Sequence, residues 1–394
     1  MKQLQCDIII VGGGLSGLLG AFALSFSNQN LIIIDKNDFV NKNQLLKDFR
    51  TTAIAEGSKI YFEKINLWNS IKKYVEPIKK INVFDRQETN TINFCNSDNN
   101  NFLGYVIQNK LLKKTLIRLL KLKTNVRMIG NTALKDITYT NNSIDVITNL
   151  FKIQAKLVVA SDGKTSFVRK IIKTPLFLKK YNQNATVVNL HHLKNHKNIA
   201  YELFLKSGPL AILPMKVNSN NFFASSVIWS NSYKFTSSLE LINPALVKDI
   251  IEEKVFKYTG KVLKILDIKS FNLSAHLNNR FYDHRVVYVG DSAHSLHPIA
   301  GQGWNLGIRD IKNLVNSINR GINLGLDIGD EYICKEYHNL SFYDAYFMFQ
   351  ITDKLNSIFL REDHNLSFLR KIGFMFIENN FKIKNYISNL AMGI

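Results

Sequence analysis

The chain has 394 residues, a net charge of +20, an apolar fraction of 46% and a charged fraction of 21%. These are the totals of an ordinary globular protein, long enough for two domains or for one large α/β domain with insertions. The positive charge is spread through every segment without a Lys/Arg block interleaved with aromatics, which argues against nucleic acid; it leaves biased composition, an anionic membrane surface or an acidic ligand.

The first strong signal follows a few residues into the chain. From Ile8 to Phe26 no charged residue occurs, a length that could cross a membrane. Glycines at 12, 13, 14, 17 and 20 favour a strand, a turn and a buried helix instead, and no basic run with a small-residue cleavage site suggests a signal peptide. Cys6, Cys95 and Cys334 are too few and too scattered for a disulfide framework or a zinc site.

The apolar run Ile8 to Val11 has the character of a parallel strand buried on both faces. Gly12 would permit the tight turn after it, Gly14 would let backbone approach a pyrophosphate, and Gly17 would let the following helix pack closely on the strand. That helix, opening near Leu15 and Ser16, points free N–H groups toward phosphates. A second strand, Leu31 to Ile34, ends at Asp35, where a carboxylate can accept hydrogen bonds from ribose hydroxyls. Asp35 disfavours a phosphorylated ribose, so FAD and NAD remain.

Asn96 to Asn101 reads as a surface loop. Between residues 199 and 230, short strands broken at Gly208-Pro209 and at Asn218 to Asn221 predict an antiparallel sheet, with Phe204, Leu213, Phe223 and Trp229 as a candidate apolar wall. The same aromatics also suit ordinary sheet core. His191, His192 and His196 have no matching Cys or carboxylate spacing, so no metal is expected. Arg285 to Val289 predicts another buried strand, with Gly290-Asp291 at its carboxyl end, where open α/β sheets bind ligands. A carboxylate there can hold the hydroxyls of a sugar-alcohol chain. Gly301-Gln302-Gly303 then opens a helix over about Trp304 to Asn319, whose positive end would stabilise an anion. A ribitol joined to a flavin meets both requirements.

The segment GDSAHSLHPIAGQGWNLGIRD resembles the second FAD motif of the aromatic-ring flavin monooxygenases, in the branch that hydroxylates ubiquinone precursors. VVASDGKTSFVRK resembles that family's middle motif, DFRTTAIAEGS the segment whose arginine reaches the cofactor, and GYVIQNKLLKKTL the lead into the next long helix. SGPLAILPM and the terminal AMG also match the branch. Lys110 departs from a usual arginine, and Trp304 from a smaller apolar residue.

The resemblance implies an α/β fold: a Rossmann-like FAD domain over 1–75, 100–175 and 270–325, an antiparallel-sheet substrate domain over 76–99 and 176–269, and C-terminal helices over 326–394. It implies non-covalent FAD held by Gly12, Gly14, Leu15, Ser16, Gly17, Asp35 and Lys36 at the amino end. Arg50, Asp162 and Gly163 would serve from the middle of the chain, and Gly290, Asp291, Pro298, Gly301, Gln302, Gly303 and Asn305 from the second motif. The substrate pocket would add Pro214 and Trp304 to the four wall residues, with Pro298 and Ala300 toward the flavin. His294 and Pro298 are the candidate catalytic residues, although a histidine there serves packing or cofactor positioning as readily as proton chemistry.

The implied reaction takes electrons from NAD(P)H or a protein donor and transfers one atom of O2 to the ring of a polyprenylated phenol. A prenyl-chain reductase on the same fold and a non-catalytic FAD-binding scaffold are the alternatives. Further expected partners are a ubiquinone biosynthetic complex and an anionic membrane surface, the latter through the tail from Ser367. There Leu369, Ile372, Phe376, Ile383 and Ile387 recur at helical spacing among Arg370, Lys371, Lys382 and Lys384; core packing is the competing reading. The expected location is the cytoplasm, peripheral on the inner face of the plasma membrane.

Overall fold

The computed structural model describes residues 2–39, 48–85, 91–95, 102–361 and 364–394. The predicted Asn96 to Asn101 loop and the Ala300 side chain lie outside the described residues.

Ile8–Val11 is buried because it is central. It pairs in parallel with Leu157–Ala160 on one side and with Leu31–Ile34 on the other. The full six-stranded order is Tyr282–Asp283, Val286–Tyr288, Leu157–Ala160, Ile8–Val11, Leu31–Ile34 and Val126–Ile129. All neighbours are parallel except the first pair. Backbone polar groups are satisfied in the ladder, so both faces can carry Ile and Val into the main core. Helix Leu15–Leu24 packs against Asn109–Leu120 and Gln302–Asn323, closing one side. A four-stranded sheet of Lys2–Gln5, Phe151–Ala155, Ile144–Thr148 and Leu134–Tyr139 adds Ile144, Val146 and Ile153 to the same core.

The second large element is an eight-stranded sheet. Its order is His294–Ser295, Val262–Asn278, Leu176–His192, Phe223–Ser232, Gly208–Met215, Ile199–Leu205, Lys80–Phe84 and Thr91–Cys95. The break expected at Asn218 to Asn221 does separate strands, whereas Gly208-Pro209 opens the strand Gly208–Met215 and the chain turns just before it, at Lys206-Ser207. Alternation divides the side chains between two faces. Val188, Leu203, Leu210, Ile212, Val227 and Trp229 pack beneath helix Pro244–Thr259 around Ile251 and Val255. The opposite face carries Phe204, which packs with Ile299 and Phe359. That contact brings the sheet over the loop that follows the parallel strands.

A three-stranded sheet, Thr51–Ala55, Gly104–Gln108 and Glu76–Ile78, lies between these parts. Helices Glu331–Leu360, His364–Asn379 and Phe381–Met392 end the chain. Their start is capped by Asp330, whose carboxylate accepts from the Tyr332 N–H at 2.8 Å. The mixture of parallel sheet, helices and antiparallel sheet agrees with the expected α/β class.

Candidate active site

The two glycine motifs, nearly 300 residues apart, meet at the carboxyl edge of the parallel sheet. Gly12 has φ +110, and a Cβ there would lie 2.4 Å from the Ser161 carbonyl oxygen. A Cβ on Gly17 would lie 1.9 Å from the Gly12 carbonyl oxygen, so helix and strand approach as closely as backbone permits. Gly14 is different: among the described residues nothing lies within 4 Å of a Cβ added there. It caps the Leu15–Leu24 helix without a side-chain hydrogen bond and with no acid in the first turn, leaving a positive helix end facing open space.

Ser16 lies on that first turn and reaches the second motif. A Cβ on Gly290, at φ +57, would lie 2.5 Å from the Ser16 Oγ. Asp35 stands at the end of its strand, accepting from the Gly13 N–H at 2.6 Å and the Asn37 N–H at 2.7 Å. Its carboxylate thus fixes the glycine turn and retains lone pairs at the crevice edge. Lys36 is exposed beyond it.

Asp291 is the centre of the crevice. Among the described residues no hydrogen-bond donor reaches its carboxylate, which opens to solvent while protein surrounds it on its other sides. That setting raises its pKa, opposed by the positive fields of His294, Arg50 and Lys164. Arg50 is gripped by Asp48 through Nε and Nη2, each at 2.9 Å, and lies over the Phe271 ring at 5.6 Å. The Asp48 bond, with Asp291 adding to it, raises the Arg50 pKa, whereas burial lowers that of Lys164. Helix Gln302–Asn323 also begins nearby, at Gly301 with φ +60, with no side-chain cap and no acid in its first turn. Among the described residues nothing lies within 4 Å of a Cβ on Gly303 or Gly163.

Several expected contacts take other roles. Asp162 caps helix Phe167–Ile172 through the Phe167 and Val168 N–H groups at 2.6 and 3.1 Å, and accepts from Ser292 Oγ at 3.1 Å. It ties the middle motif to the Gly290–Ser292 turn, helped by the Gly163 N–H donating to Ser292 Oγ at 3.0 Å. Asn305 is 1% exposed and spends its amide internally. Its oxygen accepts from the Ala55 N–H and Ser58 Oγ, and its nitrogen donates to the Ala53 and Gly301 carbonyls. It therefore braces the Thr51–Ala55 strand, which follows Arg50, against the second motif.

His294 is fully buried, with Nε2 2.6 Å from Asp310 Oδ2, and the same oxygen accepts from the Gly290 N–H at 2.9 Å. The pair sits behind the Gly290-Asp291 turn and holds its shape, so the catalytic expectation for His294 gives way to positioning. Gln302 is buried and donates to the Ala391 carbonyl at 3.1 Å, while Pro298 stays partly open on the adjoining loop. A Cβ on Gly57 would lie 2.4 Å from the Gly393 carbonyl oxygen, so the terminal Ala-Met-Gly closes against this region.

The apolar wall divides by parity. Phe204 and Leu213 face the site, Phe204 with Ile299 and Leu213 with Met392. Trp229 lies in the core on the far face, donating to Ser207 Oγ at 3.2 Å. Phe223 lies on that face beside His192 and His196, and Pro214 alternates onto it with Leu210 and Ile212. The sequence pattern could not assign these faces, because helix Pro244–Thr259 could have covered either one. Trp304 is half-buried on the first turn of its helix, with its indole N–H sealed from solvent and without a partner among the described residues. Among the described residues no three His, Cys, Asp or Glu form a metal site.

Sequence reading missed Glu202, which stands on the site face between Ala200 and Phe204. Its signal was the parity that it shares with Phe204. It also missed Asn189 and Ser226, paired across that face with a buried Asn189 Oδ1 and Ser226 Oγ that have no partner among the described residues.

These features fit FAD. The open space at Gly14 suits a pyrophosphate, the unengaged Asp291 suits ribitol hydroxyls, and two uncapped helix ends suit negative charge. The family described as FAD binding domain matches residues 5–323. A ubiquinone hydroxylase, UbiL, of Rhodospirillum rubrum is 29% identical over 98% of this chain and 89% of its own length. The mitochondrial ubiquinone biosynthesis monooxygenase COQ6 of Dictyostelium discoideum is 26% identical over 98% and 91%. The crystal structure of p-nitrophenol 4-monooxygenase PnpA from Pseudomonas putida superposes with a TM-score of 0.79 at 16% identity, covering 98% of this chain and 97% of that one. With the match extending over most of its length, the chain belongs to the FAD-binding domain family, and FAD is its cofactor.

Proposed function

We propose that the protein is an FAD-dependent monooxygenase that hydroxylates the ring of a polyprenylated phenol in ubiquinone biosynthesis, using O2 and electrons from NAD(P)H or a protein donor. One observation carries the reading. The sheet face bearing Phe204 and Leu213 packs against Ile299, a few residues after Asp291 in the second motif, and against Met392, so apolar side chains of the sheet stand close to the site where Ser16 meets Gly290. Similarity to hydroxylases of ubiquinone synthesis over nearly the whole chain supports the substrate class. In this reading residues 1–75, 100–175 and 270–325 serve the cofactor, 76–99 and 176–269 the substrate, and 326–394 close the site. The long Val262–Asn278 strand links the first two parts.

Bound FAD supplies electron transfer from the donor and the activation of oxygen. The chain's residues hold and enclose it. Asp291 would accept hydrogen bonds from the ribitol hydroxyls and Asp35 from those of the ribose, with the Leu15–Leu24 helix end offering its N–H groups to the pyrophosphate. The Gln302–Asn323 helix end and Arg50 would favour negative charge on the flavin. Phe204, Ile299, Phe359 and Met392 exclude water from the reacting ring.

The tail adds a partner to this reading: an anionic membrane surface. Phe368, Leu369, Ile372 and Phe376 are 64, 60, 47 and 57% exposed on helix His364–Asn379. Lys371 and Lys382 are exposed nearby. Arg370 differs from the expected basic surface residue: it is 6% exposed, with Nε 3.6 Å from Asp85. No helix among the described residues is long and apolar enough to cross a membrane, so contact would be peripheral.

Expression in strains lacking each ring hydroxylase of ubiquinone synthesis, followed by mass spectrometry of quinone intermediates, tests the function. Restored conversion of one accumulated phenol is expected. An FAD-loaded protein that restores none, or that saturates prenyl double bonds instead, overturns the proposal.

A further inference from the structure

Strand Ile199–Leu205 turns Tyr201, Leu203 and Leu205 toward helix Pro244–Thr259, and Ala200 and Phe204 toward the site. Glu202 lies between the latter two on the same face. Its cross-strand neighbours are Ala211 and Val83, a small and an apolar side chain. Among the described residues its carboxyl group makes no hydrogen bond or ion pair, and its oxygens are not sealed in packing. A carboxyl group in an apolar wall with no protein partner is costly for stability unless it serves a ligand.

The charged groups on the neighbouring elements are engaged elsewhere. Asp85, after the adjoining strand, lies beside Arg370. On helix His364–Asn379, Glu378 holds Lys384 and the Asn93 amide. Asp353, on Glu331–Leu360, holds Lys179 and Tyr181. Burial keeps His297, beside the 298–301 turn, neutral with its pKa pushed down to about 4. Gly208–Met215 contributes no charged side chain. With no charged neighbour among the described residues, burial pushes Glu202 up to about 8.

We propose that Glu202 is the base that takes the proton from the substrate's ring hydroxyl during hydroxylation. This rests on the phenol-hydroxylase reading above. The phenolic O–H bond breaks, its proton passes to the Glu202 carboxylate, and the electron pair left on oxygen enriches the ring carbons that accept the oxygen atom. When the ring regains aromaticity, the hydrogen on the attacked carbon leaves to water as a proton, water protonates the leaving oxygen of the cleaved O–O bond, and Glu202 returns its own proton to the ring oxygen. No further oxidant or reductant is required. The raised proton affinity narrows the gap to a phenol near pKa ~10, which makes the carboxylate a better base than an exposed glutamate.

The test uses the full chain loaded with FAD, reduced without oxygen and then mixed with O2 and either 2-prenylphenol or 2-prenylaniline. Wild-type phenol hydroxylation should rise as pH increases through about 8, as Glu202 ionises. Glu202→Gln should lower that rate on the order of 100-fold or more and remove the rise, while the aniline, electron-rich without losing a proton, reacts at the wild-type rate. Glu202→Asp should restore the pH dependence at a reduced rate. FAD content and thermal melting of both variants should match wild type. A Gln variant with the wild-type rate and pH profile overturns the role of Glu202, as does one that slows both substrates equally. If wild type hydroxylates neither the phenols nor the anilines tested, the phenol-hydroxylase reading itself fails, and the base role fails with it.

Discussion

Replacing Asp291 with alanine separates cofactor binding from folding. Because no protein donor bonds its carboxylate among the described residues, the substitution removes no internal hydrogen bond. It removes a charged acceptor for a ribitol hydroxyl, a loss on the order of 1.5 to 3 kcal/mol. At about 1.4 kcal/mol per tenfold, FAD affinity should fall roughly ten- to a hundredfold. Apo stability should move the other way or not at all. The protein crowded around Asp291 raises its folded-state pKa although its carboxylate opens to solvent, so its ionisation opposes folding: the contribution is favourable below the unfolded pKa and is lost as pH rises through the folded one. The variant's apo form should therefore melt no lower than wild type at neutral pH. Gly14, Asp35 and the first helix end remain, so saturating FAD should restore occupancy. Fluorescence titration of apoprotein with FAD, beside thermal melts of both apo forms, provides the assay. Equal FAD affinity in the two proteins, with a lowered apo melt in the variant, would refute the ribitol assignment and leave Asp291 as a turn residue.

The glycine turn should respond unequally. Gly12→Ala meets the Ser161 carbonyl and a positive φ, so chemical denaturation of the apoprotein should show a loss of about 2 to 4 kcal/mol; Gly14→Ala has open space and should leave apo stability within about 1 kcal/mol while weakening FAD binding. Serine at Phe368, Ile372 and Phe376 together should reduce co-sedimentation with anionic vesicles without slowing turnover of a soluble phenol, and unchanged sedimentation would remove the membrane partner. His192 and His297 are held neutral, with pKa values lowered by burial from 6.5 to about 4. Their folded pKa values lie below the unfolded value, so stability is full above about 6.5 and is lost as pH falls toward 4. His297→Leu should flatten that part of the stability–pH curve, and an unaltered slope would place the proton uptake elsewhere.

Local sequence determined the parts of this protein that depend on neighbouring residues along the chain. Ile8 to Val11 followed by Gly12, Gly14 and Gly17 has few alternatives to a buried strand, a tight turn and a close-packed helix, and Asp35 follows from the same unit. Gly290-Asp291 was legible for the same reason, as a short strand delivering a turn. The faces of the antiparallel sheet were not, because alternation tells which residues share a side but not which side a helix will cover. Helix Pro244–Thr259 covers the side of Trp229, Phe223 and Pro214, leaving Phe204, Leu213 and Glu202 to the site. Contacts between distant segments decided the remaining roles: Asp310 turned His294 into a brace, the Ala53–Ser58 segment occupied Asn305, and Asp85 drew Arg370 inward. Tertiary packing alone made these assignments, since buried polar groups must find partners and those partners lie up to hundreds of residues away.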